Sequence, residues 1–284
     1  MNEGVQLNIV KSLARHIRFY LSDLITPLMV RLRTPKSLLS SRDQVLALID
    51  YMKPVNTNQP LKRFGPEGDG GYLAPDDFEG IEACFSPGVS DVAGFEMEFA
   101  SRGIRCFLID ASVEKAPVEH ENIHFEPLFL GAKSDGVKFI SLGDWVNAKA
   151  PGNKDLLLQI DIEGAEYEAL VASPEHLLKR FRVIVMELHD LEFLMTNKYA
   201  AIGFESFLIH LRRVFEVVHI HPNNNRRPVY HQEIEIPPVI EMTLVRKDRV
   251  KIDPHGVGGE LPHPLDSDNS PKRKGMIFSS EWKE

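Results

Sequence analysis

The sequence predicts an α/β protein built on a largely parallel sheet with helices on both faces. Two observations predict it. The apolar runs Ala83–Ser86, Arg105–Ile109, Leu156–Ile160 and Val183–Leu188 are continuous rather than alternating, as strands buried on both faces are. Helix-like segments separate them, and alternation of strand with helix builds a parallel sheet. A chain of 284 residues with 43% hydrophobic side chains is long and apolar enough to bury such a sheet.

The elements follow in order. Residues 1–53 are helix-like and basic: Leu13, Ile17, Tyr20, Leu21, Leu24, Leu28 and Val30 recur near three- and four-residue spacing, with a break expected at Pro27. Such a face attaches to an anionic membrane surface, or packs on the main domain or on a second copy. Residues 54–80 are loop-rich. The strand Ala83–Ser86 leads into the turn Pro87–Asp91 and a helix over Val92–Arg102. Arg105–Ile109 is a second strand, Ile123–Leu130 a third, and Leu142–Asn147 a short helix. Leu156–Ile160 is a buried strand, followed by a helix over Gly164–Ala172 and another opened by Ser173 as cap and Pro174. Val183–Leu188, a helix over Phe204–Val214, and the strands Glu216–His221 and Val239–Val245, separated by a long polar loop, complete a domain over 54–250. Residues 251–284 are polar and rich in proline, either disordered or a lid over the site.

Composition excludes several classes. A net charge of -8 argues against a broad nucleic-acid surface. Two cysteines, Cys84 and Cys106, exclude a disulfide scaffold and a four-cysteine zinc site, and read as buried thiols in a reducing compartment. No run reaches the roughly 18 apolar residues of a membrane span. Lys11, Arg15 and Arg18 interrupt the N-terminal apolar stretch, which makes it a poor signal peptide. The expected location is cytoplasmic, with peripheral contact at the inner face of the membrane if residues 1–53 bind it.

In parallel sheets ligands bind at the carboxyl ends of the strands. Gly88 directly follows the first strand, where a glycine lets the backbone turn tightly, and Ser86 precedes it. Asp110 ends the next strand 22 residues later, at the position where a carboxylate holds a ribose diol. The turn lacks the glycine spacing that cradles a pyrophosphate. An adenosine without pyrophosphate, as in S-adenosylmethionine, suits it better than a dinucleotide; a turn glycine with a solvated acid is the plainer alternative.

Leu158-Gln159-Ile160-Asp161-Ile162-Glu163-Gly164-Ala165-Glu166 resembles the signature of FkbM-type S-adenosylmethionine-dependent methyltransferases. Arg63–Tyr72, with Asp69-Gly70-Gly71-Tyr72, resembles a stretch that precedes the first strand in a related methyltransferase family, and Cys84–Ser90 with Phe95-Glu96 resembles their cofactor turn. The similarity covers about residues 61–247. It implies a class I methyltransferase fold, a Rossmann-like seven-stranded sheet whose last strand is antiparallel. It also implies S-adenosylmethionine as cofactor and a sugar, glycan or other hydroxylated metabolite as acceptor. Asp69, Gly70 and Gly71 would then shape the methionine end, Gly88 and Asp110 the turn and ribose, and Leu130 and Gly131 the adenine.

Methyl transfer to a hydroxyl requires alignment and removal of a proton. Asp161, Glu187 and His189 follow neighbouring strands. His189 is the first choice of base; Asp161 and Glu187 orient it or hold a divalent ion such as magnesium. Asp161 also adjoins the cofactor turn. His219 and His221 share one face of their strand, and His221, Asn223 and Asn224 are candidates for acceptor binding. Each also has a structural reading: a paired buried acid, a satisfied histidine, a solvated face. Glu166 reads as favouring its helix start, and Arg226-Arg227 as a phosphate or carboxylate contact or as solvated loop charge. Two other functions stay open: a cofactor-binding partner subunit without turnover, and a nicotinamide-dependent oxidoreductase.

Overall fold

A computed structural model describes residues 35–253, 255 and 259–283. The amphipathic helix expected over Leu13–Val30 lies outside them. The described part of that zone holds α1 (Arg42–Met52), started by a capping box in which Ser41 Oγ accepts from the Gln44 amide and Gln44 Oε1 from the Ser41 amide.

The sheet strands are β3 (Ala83–Pro87), β4 (Arg105–Ile109), β5 (Ile123–Glu126), β8 (Leu156–Ile160), β9 (Phe181–Leu188), β10 (Phe215–Pro222) and β13 (Ile240–Arg246). Their spatial order is β10-β13-β9-β8-β3-β4-β5. β13 runs antiparallel between β9 and β10, and the other pairings are parallel. This is the mixed α/β, seven-stranded, mostly parallel sheet that the sequence predicts. The chain moves outward from β3 in one direction and later from β8 in the other. The crevice between them is therefore a switch point, where strand-end residues are uncovered. Helices α2 (Gly94–Ser101), α3 (Leu142–Lys149), α4 (Glu166–Val171), α5 (Glu175–Leu178), α6 (Leu191–Leu194) and α7 (Lys198–Arg212) alternate with the strands. One apolar layer gathers Phe85, Trp145, Phe181 and Phe204; the layer on the other face holds Phe64, Phe78, Phe95 and Phe99 in ring-to-ring contact.

Several expected elements come out differently. The third strand breaks at Pro127, which has no N–H for a ladder. Ile123–Glu126 stays in the sheet, whereas β6 (Phe129–Gly131) pairs apart with β7 (Phe139–Ser141). Ser173 does not cap α5, because its hydroxyl donates to the Ala169 carbonyl one turn back (2.9 Å). The loop-rich region holds the hairpin β1 (Leu61–Phe64) and β2 (Tyr72–Pro75). The polar loop after β10 holds the hairpin β11 (Val229–His231) and β12 (Ile234–Ile236), turned by Gln232 and Glu233 at φ 51 and 65.

The tail is built into the molecule. Phe278 and Trp282, the latter in α8 (Ser280–Lys283), join the core beside α1, and Trp282 Nε1 donates to the Glu235 carbonyl (3.0 Å). Residues 266–270 cross the carboxyl end of β10 and the amino end of its antiparallel neighbour β13 on the way.

Candidate active site

A cavity of about 630 Å³ opens at the switch point, lined among others by Asp69, Gly70, Gly88, Asp110, Leu130 and Asp161. That volume suits one nucleoside-sized ligand. Gly88 sits at φ 90, and a Cβ there would lie 1.7 Å from the Asp161 carbonyl oxygen. The glycine thus lets the β3 turn lie directly against the end of β8. Asp110 is buried at the cavity wall. Its two oxygens accept from the Ser90 amide (2.9 Å) and the Ser112 amide (2.7 Å), which fixes the carboxylate while leaving lone pairs for a diol.

Two expected cofactor residues lie elsewhere. Ser86 is fully buried behind the wall, its hydroxyl between the Glu96 carboxyl and Gln159 Oε1 (2.6 Å). Gly71 does not line the cavity: a Cβ there would lie 2.0 Å from the Pro66 carbonyl, so it allows the 65–71 turn to close. Of the adenine pair, Leu130 lines the cavity with Phe129, and Gly131 does not.

Asp161, Glu187 and His189 come together. His189 Nε2 lies 3.5 Å from Asp161 Oδ1 and 3.4 Å from Glu187 Oε2, and its Nδ1 lies 3.0 Å from Glu166 Oε1. Glu166 is wholly buried and also accepts from the amides of Ile162 and Gly164 (both 2.9 Å). It therefore holds the turn after β8 and the imidazole together, a larger role than favouring a helix start. Tyr167 Oη donates to the His189 carbonyl (2.5 Å). Burial opposes charge on His189, but the bond to Glu166 and the charges of Glu166, Asp161 and Glu187 prevail and raise its pKa to about 10. Burial pushes the Asp161 carboxyl up to about 7 against the pull of His189, and burial beside Asp161 and Glu241 raises Glu187 well above the carboxylate range. His189 thus holds a proton at neutral pH in this arrangement, which is not the state of the base that the sequence suggests. Donor atoms of Asp161, Glu187 and His189 lie within 4.8 Å of one another, a set of two carboxylates and one oriented imidazole that fits a divalent cation.

The remaining candidates form the neighbouring wall. Glu241 faces Glu187 across one strand pair and His221 across the other. Asn223 Nδ2 donates to Glu187 Oε1 (3.0 Å). His219 Nε2 lies 2.9 Å from Asp266 Oδ1, and His221 Nδ1 3.5 Å from Asp266 Oδ2. Asn269 Nδ2 donates to Glu241 Oε1 (2.6 Å) and reaches Asp69 Oδ1 (3.3 Å). Asn224, proposed for the acceptor, is engaged by the tail instead: its Nδ2 donates to the Ser270 carbonyl (3.0 Å) and its Oδ1 accepts from the Ser270 amide (2.7 Å).

Strand order, glycine turn and strand-end cluster stand together, and the family comparison agrees with them. Residues 131–234 match the family model of the methyltransferase FkbM domain. The FkbM match spans rather more than a third of the chain and contains Asp161, Glu166, Glu187 and His189; the cofactor turn and Asp110 precede it. It supports a methyltransferase. No curated protein matches the chain. Among the described residues no helix is long and apolar enough to cross a membrane.

Sequence reasoning gave no role to Glu96, Gln159, Tyr72, Glu241, Asp266 or Asn269. Gln159 Nε2 donates to Tyr72 Oη (3.2 Å), and Glu96, Gln159 and Tyr72 all line the cavity. Glu96 and Gln159 lie inside the quoted motifs and carry that signal. Asp266 and Asn269 sit in a tail without periodicity, and only the fold brings them to the site.

Proposed function

We propose that this chain is an S-adenosylmethionine-dependent O-methyltransferase whose acceptor is a hydroxyl of a sugar, glycan or other polyhydroxylated metabolite. One observation carries the reading: Asp110 and Asp161 line the same cavity, and Asp161 is paired through His189 to Glu187 and Glu166. The FkbM match supports the reaction class. When bound, the cofactor supplies an activated methyl group. Asp110 would hold the ribose diol, Phe129 and Leu130 would face the adenine, and Asp69 and Gly70 would flank the methionine end.

The acceptor hydroxyl must lose a proton as its oxygen attacks. Asp161 is the group of the cluster that reaches the cavity, so it receives that proton. His189, oriented by Glu166, stabilises the Asp161 carboxylate and keeps it aimed. Glu187, held by Asn223, meets His189 Nε2 and backs the cluster.

A second reading of the same cluster rests on its donor set: Asp161, Glu187 and His189 would hold a divalent cation, which would lower the pKa of the acceptor hydroxyl.

Calorimetric titration of S-adenosylmethionine, S-adenosylhomocysteine and NAD into the purified chain tests the proposal. Micromolar binding of the first two, weakened about 100-fold in Asp110→Ala, is expected; this is roughly 2.7 kcal/mol. His189→Ala should bind S-adenosylhomocysteine normally and lose methyl transfer over a panel of sugars, and a chelator separates the cation reading from the cation-free one. Silence toward both sulfur ligands overturns the proposal, and heat on NAD alone favours an oxidoreductase.

A further inference from the structure

A second concavity of about 860 Å³ lies between the loop that follows β10 and the tail. Its lining is strongly basic. Arg226 and Arg227 come from the loop, and Lys272, Arg273 and Lys274 from the tail. Such a cluster is unexpected on a chain of net charge -8, where scattered cations would meet acids. Arg226 has done so: it pairs with Asp190 (3.4 Å) and Glu192. The charged ends of Arg227, Lys272 and Lys274, by contrast, meet no acid and no hydrogen-bond acceptor among the described residues. The one acid in the lining, Glu235, accepts from the Tyr230 hydroxyl.

The concavity adjoins the catalytic cluster. Asn223 donates to Glu187, while the next residue, Asn224, lines the concavity and fastens its two walls together through Ser270. Asp190, which Arg226 holds, directly follows His189. A molecule with its hydroxyl at Asp161 and an anionic group at these cations would span the two, past Asn223, Asn224 and the Asp190–Arg226 pair.

We propose that this concavity is the subsite for a phosphate or diphosphate group of the acceptor, so that the enzyme methylates a phosphorylated hydroxylated molecule rather than a neutral one. The proposal rests on the methyltransferase reading. A guanidinium offers paired donors to two oxygens of one phosphate, and two ammonium groups beside it suit an anion of charge two or more. Exposed Ile277 and half-buried Met276 border the cations. The apolar border accommodates the organic part of a phosphoester, whether a soluble sugar phosphate or a lipid headgroup.

Calorimetry on the full chain at fixed ionic strength tests this, with pyrophosphate as the soluble probe. Co-sedimentation with phosphatidylcholine vesicles, with and without phosphatidic acid, is the lipid probe. The comparison variant is Arg227→Gln with Lys272→Gln and Lys274→Gln, and S-adenosylhomocysteine binding is measured on both proteins. Pyrophosphate binding that falls at least 10-fold in the triple variant, with S-adenosylhomocysteine binding retained, is expected. Binding only to phosphatidic acid vesicles, lost in the triple variant, supports the same chemistry with a headgroup as its source. Absence of binding to both probes, or binding that the triple variant leaves unchanged, overturns the subsite. A chain that binds pyrophosphate but no S-adenosylhomocysteine overturns the methyltransferase reading instead.

Discussion

The two halves of the sheet's carboxyl edge are built on opposite principles. On the β3–β5 side the cavity is shaped by backbone: a glycine against a carbonyl, and one carboxylate held by two amides. On the β9–β10 side it is shaped by buried charge, with Glu187, Glu241, His189, His219 and His221 crowded at the strand ends and a tail segment closing over them. A backbone-shaped site presents the same donors and shape whatever the pH. A charge-shaped site depends on which protons and partners are present, and so suits the place where a proton must move. On the function proposed above, the first half would hold the cofactor and the second the acceptor.

The largest expected effect breaks the backbone half. Gly88→Ala places a Cβ 1.7 Å from the Asp161 carbonyl at a φ that alanine resists. It should cost about 4 kcal/mol or more, or prevent folding, as read by thermal denaturation. A variant as stable as the parent, with unchanged S-adenosylhomocysteine affinity, would show that the two strand ends can part freely. In the charge half, Asp266→Asn should cost roughly 3 kcal/mol, because His221 loses a buried counter-charge and His219 the carboxylate that its Nε2 meets. The sign follows from the shifts. Despite burial, the bonds and charges of His219 and His221 hold the Asp266 carboxyl far below the usual range. Its contribution is therefore present above the ordinary carboxylate pKa near 4 and is lost as pH falls toward its folded value. Burial lowers His221, but Asp266 and Glu241 outweigh it and raise the ring's pKa. That contribution is full below the ordinary histidine pKa near 6.5 and is lost as pH rises through the raised one. Burial lowers His219 despite Asp266, so that ring opposes the folded state as pH falls below about 6.5. Parent and Asp266→Asn melting curves should thus differ most between those limits and converge in acid.

The same contrast governs what could be read from the sequence. Continuous apolar runs place four sheet strands almost to the residue, because a strand buried on both faces admits little else. Gly88 and Asp110 are legible for the same reason: backbone geometry and a strand end fix them. The β11–β12 hairpin is silent because its turn is Gln232-Glu233, which lacks the asparagine or glycine that announces such turns. β6 separates from β5 through one proline whose effect depends on its position in the sheet. Asp266 and Asn269 lie in the tail that the sequence leaves as either disordered or a lid, but their partners are not legible, because a contact near 45 residues after His221 leaves no periodic trace. Glu166 is seen but undervalued: a glutamate at a helix start has a local explanation, and only the fold puts His189 beside it.

The smallest expected effect sharpens the comparison at that residue. Glu166→Gln keeps the shape and one of the two oxygens that accept from the Ile162 and Gly164 amides, and removes the charge facing His189 Nδ1. If Glu166 acts only as a structural plug, turnover and stability should fall together. If it positions the imidazole, kcat should fall 10- to 100-fold, while S-adenosylhomocysteine affinity on the backbone half stays unchanged. Histidine NMR supplies the second readout. Without the Glu166 charge, the His189 ring should lose its proton at a lower pH than in the parent, since that carboxylate is the leading group that favours the imidazolium. An unchanged His189 titration would remove Glu166 from the proton chemistry and leave it to the carboxylates on the Nε2 side, Asp161 and Glu187 at 3.5 and 3.4 Å and the exposed Glu163 at 3.9 Å.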